Sequence, residues 1–151
     1  MLRRTHLAIG LCIVLYFLPH VNNKLLFIPV LLISSLLPDL DSSFSFLGKR
    51  YFARPIQMLS SHRGMLHSYS FCIAISLLFA IFYPILALPF FLGYSFHLLA
   101  DSFTIQGIKP FWPLRYNSSG NVRVGGRIEY AIFFVFIILD IFLFLFLFIN
   151  K

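Results

Sequence analysis

Residues 130–149 read YAIFFVFIILDIFLFLFLFI, nineteen apolar side chains interrupted once, by Asp140. As a helix, twenty residues rise about 30 Å, the thickness of a bilayer's hydrocarbon core. A helix apolar on every side is read as a membrane span. The composition of the whole chain agrees. Of 151 residues, 60% are hydrophobic and 11% are charged, with twenty Phe against one Trp. Soluble domains carry about 25% charged residues. So few charges cannot cover a compact globule of this length, which excludes a soluble enzyme, a disordered chain and a coiled coil. The predicted fold is all-α: a polytopic membrane helical bundle of about five transmembrane helices with two longer cytoplasmic loops. It forms a single integral-membrane domain over residues 1–151.

Four further apolar segments precede residues 130–149. They cover residues 5–21, 25–37, 65–83 and 85–103, with Pro84 dividing the last two. The first follows Arg3 and Arg4 as a signal peptide would. No small-residue cleavage site comes after it, so it is read as an uncleaved span. The second is short: thirteen residues rise about 20 Å, so it either tilts and thins the bilayer or is re-entrant. Charge separates these options. With five spans, one side holds Arg3, Arg4, Lys49, Arg50, Arg54, Arg63, Lys109, Arg115, Arg123 and Arg127. The other side holds only Lys24 and Lys151. That bias places the N-terminus in the cytoplasm and the C-terminus outside, in the inner membrane of a prokaryote. It also accounts for the net charge of +7 without a nucleic-acid partner; the partner is the lipid bilayer. Within the loop of residues 104–129, Phe111-Trp112-Pro113 is placed at headgroup level, and residues 122–124 read as a short strand between turn signals. Cys12 and Cys72 lie in apolar runs and read as small buried hydrophobes.

The chain has five His and five acidic residues. His6 opens the first span. Asp39 and Asp41 follow the second. His62, Arg63 and His67 surround the start of the third, and His97 and Asp101 close the fourth. All fall at the cytoplasmic ends of spans, although the His and Asp positions were not used to set the topology. His97 and Asp101 are four apart and share a helix face, the spacing of a chelating pair. Asp39 and Asp41 form a DxD after a helix stop, where both carboxylates can turn toward one ion. Imidazole with carboxylate and no thiolate suits zinc, manganese or ferrous iron. Taken singly, each has a plainer reading: a hydrogen bond for His97 with Asp101, helix termination for the two Asp, an inside positive charge for Arg63. His20 reads as an interfacial residue, and Glu129 as a structural partner of Arg127 or Arg123. Asp140 is too deep to join the cluster; it reads as a protonated acid hydrogen-bonded to Tyr16 or Ser76.

The set resembles the YdjM-like family of small inner-membrane proteins described as metal-dependent hydrolases. The resemblance is carried by Thr5-His6, Leu37-Pro38-Asp39-Leu40-Asp41, His62-Arg63-Gly64-Met65-Leu66-His67-Ser68, Tyr94-Ser95-Phe96-His97-Leu98-Leu99-Ala100-Asp101 and Gly107 with Trp112-Pro113. These blocks stand in the family's order across residues 1–113. Leu66 replaces a usual Thr and Ala100 a usual Leu; neither change removes a metal-type ligand, though the lost hydroxyl removes a hydrogen bond beside His67.

The resemblance implies a membrane-embedded metal-dependent hydrolase. One or two divalent ions (zinc, manganese or iron) are expected on His6, Asp39, Asp41, His67, His97 and Asp101, activating water for attack. Arg63 is the candidate for binding an anionic group, and His62 for general acid or base. A site at headgroup level suits an amphiphilic, lipid-like phosphate or acyl ester. The alternatives are a metal-ion or proton transporter, a bis-histidine haem protein using His6 and His97, and a non-catalytic membrane interaction protein.

Overall fold

The computed structural model describes residues 1–41 and 64–149. Its secondary structure is helical: α1 (Arg3–Phe17), α2 (Lys24–Ser34), α3 (Tyr69–Phe82), α4 (Pro84–Ser102) and α5 (Arg127–Ile149). Among the described residues, short 3₁₀ turns cover Leu18–His20, Leu37–Asp41 and Met65–His67. Each helix coincides with one of the five apolar segments. Two of them, α4 and α5, are long and apolar enough to cross a bilayer; α3 is a shorter apolar helix.

The second apolar segment is two elements where one was expected. Ser34 and Ser35 end α2, their hydroxyls donating back to the Leu31 and Leu32 carbonyl oxygens. Pro38 has no N–H and disfavours helix in the residue before it. The chain therefore turns into Leu37–Asp41, which swings Asp39 toward α4. At the other junction Pro84 takes the first position of α4, where a missing N–H costs nothing.

Helix α4 is the hub. It packs on α2 and α3 most extensively and on α1 as well, whereas α5 packs chiefly on α1. The approach of α4 to α2 is close enough that a Cβ added at Gly93 would overlap the Leu31 carbonyl oxygen and Ser34 Oγ. In membranes helices associate through small residues of this kind, because lipid offers no hydrophobic gain for association. One apolar cluster joins Ile9, Ile13 and Val14 of α1 with Phe27 and Leu31 of α2 and Leu92 of α4. A second joins Cys72, Phe90, Tyr94, Leu98 and Ile108.

The expected strand at residues 122–124 is absent among the described residues. Val122 makes a single isolated bridge to Thr104, and Ser118 another to Ile108. Backbone hydrogen bonds between residues 103–108 and 118–122 fold this loop onto itself. Gly107, with φ 63°, makes the turn that a side chain would strain. Phe111, Trp112, Leu114 and Tyr116 remain exposed on its outer side, as a segment at headgroup level would be.

Candidate metal centre

The start of α1, the end of α2, the start of α3 and the end of α4 meet at one point. Each brings a polar group. His6 lies in the first turns of α1 and is 1% exposed; His67 precedes α3, and His97 and Asp101 end α4, all three equally buried. His6 Nε2 is 3.4 Å from Asp101 Oδ1. His67 Nε2 and His97 Nε2 are 3.7 and 3.9 Å from Asp101 Oδ2. Asp39 Oδ1 reaches within 3.9 Å of His97 Nε2 from the 3₁₀ turn after α2. The His6 and His97 rings stack with centroids 3.8 Å apart, and His67 meets His97 edge to face. The Met1 amino nitrogen also contacts Asp101 Oδ1.

His97 Nδ1 lies 2.7 Å from the Ser35 carbonyl oxygen. A carbonyl only accepts, so Nδ1 carries the proton and Nε2 presents its lone pair to the cluster. A backbone carbonyl on the far nitrogen is the usual way a metal-binding imidazole is oriented. His6 Nδ1, His6 Nε2 and His97 Nε2 are buried and make no hydrogen bond among the described residues. Buried nitrogens of this kind cost about 1–3 kcal/mol each unless something else satisfies them. Two groupings, His6 with Asp39 and His97, and His67 with His97 and Asp101, hold their donor atoms within 4.8 Å of one another. The donors are imidazole nitrogen and carboxylate oxygen, which fits a divalent ion of the zinc, manganese or iron type. Burial pushes the Asp39 carboxyl above the usual carboxylate range, and the neighbouring His6 and His67 oppose that rise.

Five of the eight expected site residues therefore come together: His6, Asp39, His67, His97 and Asp101. His62 and Arg63 lie outside the described residues, as does the side chain of Asp41. His20 is exposed beside Tyr16, away from the cluster.

Glu129 departs from expectation. Rather than pairing with Arg127 or Arg123, its buried carboxylate accepts from Leu2 N, Thr5 Oγ1 (3.1 Å) and Gly125 N (2.6 Å). It thus caps the free N–H groups at the starts of both α1 and α5, where the helix dipoles favour negative charge. Arg4 stacks on the Tyr130 ring beside it, 4.3 Å from the centroid. The residue next to Thr5 is His6, so this latch fixes the height of one site imidazole. Sequence spacing gave no sign of it; the only cue was an acid in the first turn of a helix.

Asp140 is buried and away from the cluster, as expected, but the expected hydrogen bond to Tyr16 or Ser76 is not made. Tyr16 is 62% exposed, and Ser76 Oγ donates to the Cys72 carbonyl in its own helix. Asp140 is a neighbour of Cys12 of α1, and neither of its carboxylate oxygens makes a hydrogen bond among the described residues. The reason is helix order: α5 packs on α1, while α3 packs on α4.

The sequence model of a family described as YdjM inner membrane protein matches residues 1–150. The chain is 38% identical over 101 residues to Inner membrane protein YdjM of Escherichia coli (strain K12), covering 59% of this chain and 50% of that protein. The same figures hold for Inner membrane protein YdjM of Shigella flexneri. This chain thus spans about half the length of the curated relatives it matches. No solved structure gives a significant match.

Proposed function

We propose, from the premise that this chain belongs to the YdjM inner membrane protein family, that it is a metal-dependent hydrolase working at the cytoplasmic surface of the inner membrane. The observation that carries this reading is the buried cluster of His6, Asp39, His67, His97 and Asp101, with imidazole nitrogens of His6 and His97 unsatisfied among the described residues. These residues would hold the ion. When bound, it supplies Lewis acidity and lowers the pKa of a coordinated water toward about 7. The Ser35 carbonyl keeps the proton of His97 on Nδ1, so that Nε2 stays a donor to the ion. His62 is assigned the general acid–base role and Arg63 the binding of an anionic group, as their positions beside His67 in the chain suggest.

The substrate class in this reading is amphiphilic: an ester with a polar, phosphate or acyl, head and an apolar tail. A site at the ends of membrane helices offers the head a polar cluster and the tail the bilayer. Five crossings with the N-terminus inside are part of the same proposal. They are supported by the ten-to-two split of basic residues. They are supported also by the meeting of the starts of α1, α3 and α5 with the ends of α2 and α4. A reporter enzyme fused after Lys151 should be active only outside the cytoplasm; activity inside would require an even number of crossings.

The test of function is direct. Protein purified in detergent should retain a divalent metal and hydrolyse a lipid-tailed phosphate or carboxylate ester, with both properties removed by chelation and restored by the metal. Metal-free protein with unchanged hydrolysis, or metal retention without hydrolysis of either ester class, would overturn the assignment.

A further inference from the structure

We propose that the cluster is built for two divalent ions spanned by the carboxylate of Asp101, one ion in the plane of the His6 ring and the other shared by His67 and His97. This rests on the metal-dependent reading above and adds the number of ions and their division among residues.

The first observation is the stack. An imidazole nitrogen donates its lone pair in the plane of the ring, and a bound ion sits in that plane about 2.1 Å from the nitrogen. The His6 and His97 rings are stacked at 3.8 Å with only 14° between their planes. Planes so separated and so nearly parallel do not cross within a bond length of either ring. One ion can therefore lie in one plane or the other, and cannot be held well by both rings. The argument holds whichever nitrogen of His6 is used, because both lie in the same plane. Ions placed in each plane would be spaced by about the stacking distance. Hydrolytic centres with two metals hold them about 3.5–4 Å apart.

The second observation is how Asp101 divides its oxygens. Oδ1 faces His6 Nε2, while Oδ2 faces both His67 Nε2 and His97 Nε2. The rings of His67 and His97 are inclined at 66°, so their planes do cross, and both nitrogens can converge on one ion with Oδ2. Oδ1, which the Met1 amino nitrogen also contacts, is the oxygen on the side of His6. Asp39 groups with both His6 and His97 and lies 3.9 Å from His97 Nε2, so it stands between the two planes as the second carboxylate of the cluster. A carboxylate offering one oxygen to each of two ions is a bridge, and a bridge couples the ions electronically. Two ions held side by side suit an in-line displacement at phosphorus, where entering and leaving oxygens each need a cation. Of the two ester classes, this favours the phosphate ester.

The test uses the whole chain in detergent, loaded with manganese(II) alone and freed of excess. Two manganese per chain are expected, with an exchange-coupled electron paramagnetic resonance spectrum in place of the six-line signal of isolated manganese(II). His6→Ala should drop the content to one per chain and restore the six-line signal, and His67→Ala should do the same. Should either variant fail to fold, the stoichiometry and spectrum of the wild type decide alone. One manganese per chain with an isolated signal in the wild type would overturn the two-ion proposal and leave the metal-dependent reading standing. Two uncoupled manganese would overturn the Asp101 bridge. Retention of neither manganese nor zinc would overturn both readings.

Discussion

Helices α4 and α5 are both long and apolar enough to cross a bilayer, yet they are made and used differently. Over its most apolar window α4 has a mean hydropathy of 1.3 and is 56% buried in the protein; α5 has 3.2 and is 6% buried. In water, the greasier helix would be the interior one. Here the order is reversed, because lipid is as apolar as any core. Bulky Phe, Leu and Ile lose nothing by facing acyl chains, whereas small and polar residues are placed where they touch protein. Gly93, Ser95, His97 and Asp101 all lie on α4, and all but Gly93 make side-chain contacts with oxygen or nitrogen partners. After Glu129, the only acid of α5 is Asp140, and that residue too is turned toward α1. Within this protein, a drop in hydropathy along a span marks the side that faces other helices.

The contrast is broken most severely by substituting His97. With one of the proposed ligands removed, His97→Ala should weaken metal binding by more than about 100-fold, beyond the 10–100-fold cost of losing an outer partner. His20→Ala, on an exposed residue, should leave binding unchanged. Elemental analysis of the purified variants measures both, and equal metal in wild type and His97→Ala would strip α4 of its special role.

Next comes packing. Gly93→Leu puts a side chain into the Leu31 carbonyl and Ser34 hydroxyl, and should cost about 1–3 kcal/mol or more. The matched change on α5, Phe142→Leu at a site 64% exposed, should fall within about 0.5 kcal/mol of wild type. Unfolding of both in the same detergent compares them, and similar losses would mean that α5 is gripped as tightly as α4.

A smaller effect is expected at the latch between α1 and α5. Glu129→Ala deprives Leu2 N, Thr5 Oγ1 and Gly125 N of their acceptor and should cost about 0.5–2 kcal/mol, as loss of a helix cap does. Because Thr5 adjoins His6, metal affinity should fall as well. A stability loss with metal titration unchanged would show that the latch supports α5 without setting the height of His6.

The smallest effect is assigned to Asp140. Exchanging it for Asn preserves shape and hydrogen-bonding capacity, and such bonds within membranes average roughly 0.6 kcal/mol. Asp140→Asn should keep metal content and thermal stability near wild type. A folded variant that had lost its metal would bring α5 into the mechanism.

The five helices were legible in the sequence because each is an apolar run bounded by proline, serine or charge. Pro84 between α3 and α4 is the clearest case. His97 and Asp101 were legible as a pair because a helix puts residues four apart on one face. The remaining cluster was visible only as positions at the same ends of different spans, with no indication of distances. What stayed hidden acts through the backbone or across long separations. The Ser35 carbonyl has no side-chain signature, yet it fixes the His97 tautomer. Gly93 is one of eight glycines, and only the crossing with α2 sets it apart. Glu129 invited pairing with nearby arginines because sequence proximity was the only distance available. Two of its three partners, Leu2 N and Thr5 Oγ1, lie more than a hundred residues earlier.

That contact between Leu2 and Glu129 spans 127 positions of the chain, and it carries a consequence for how the protein is made. A ribosome adds roughly 5–20 residues per second, so α1 waits roughly 6 to 25 s before its capping carboxylate has been synthesised. Asp101, which His6 faces, also arrives long after α1 has emerged. Throughout that interval the amino end of the nascent chain has neither its anchor nor its site. The buried cluster and the latch are therefore late features of synthesis: α5 secures α1, and His6 meets Asp101 only after α4 has been made.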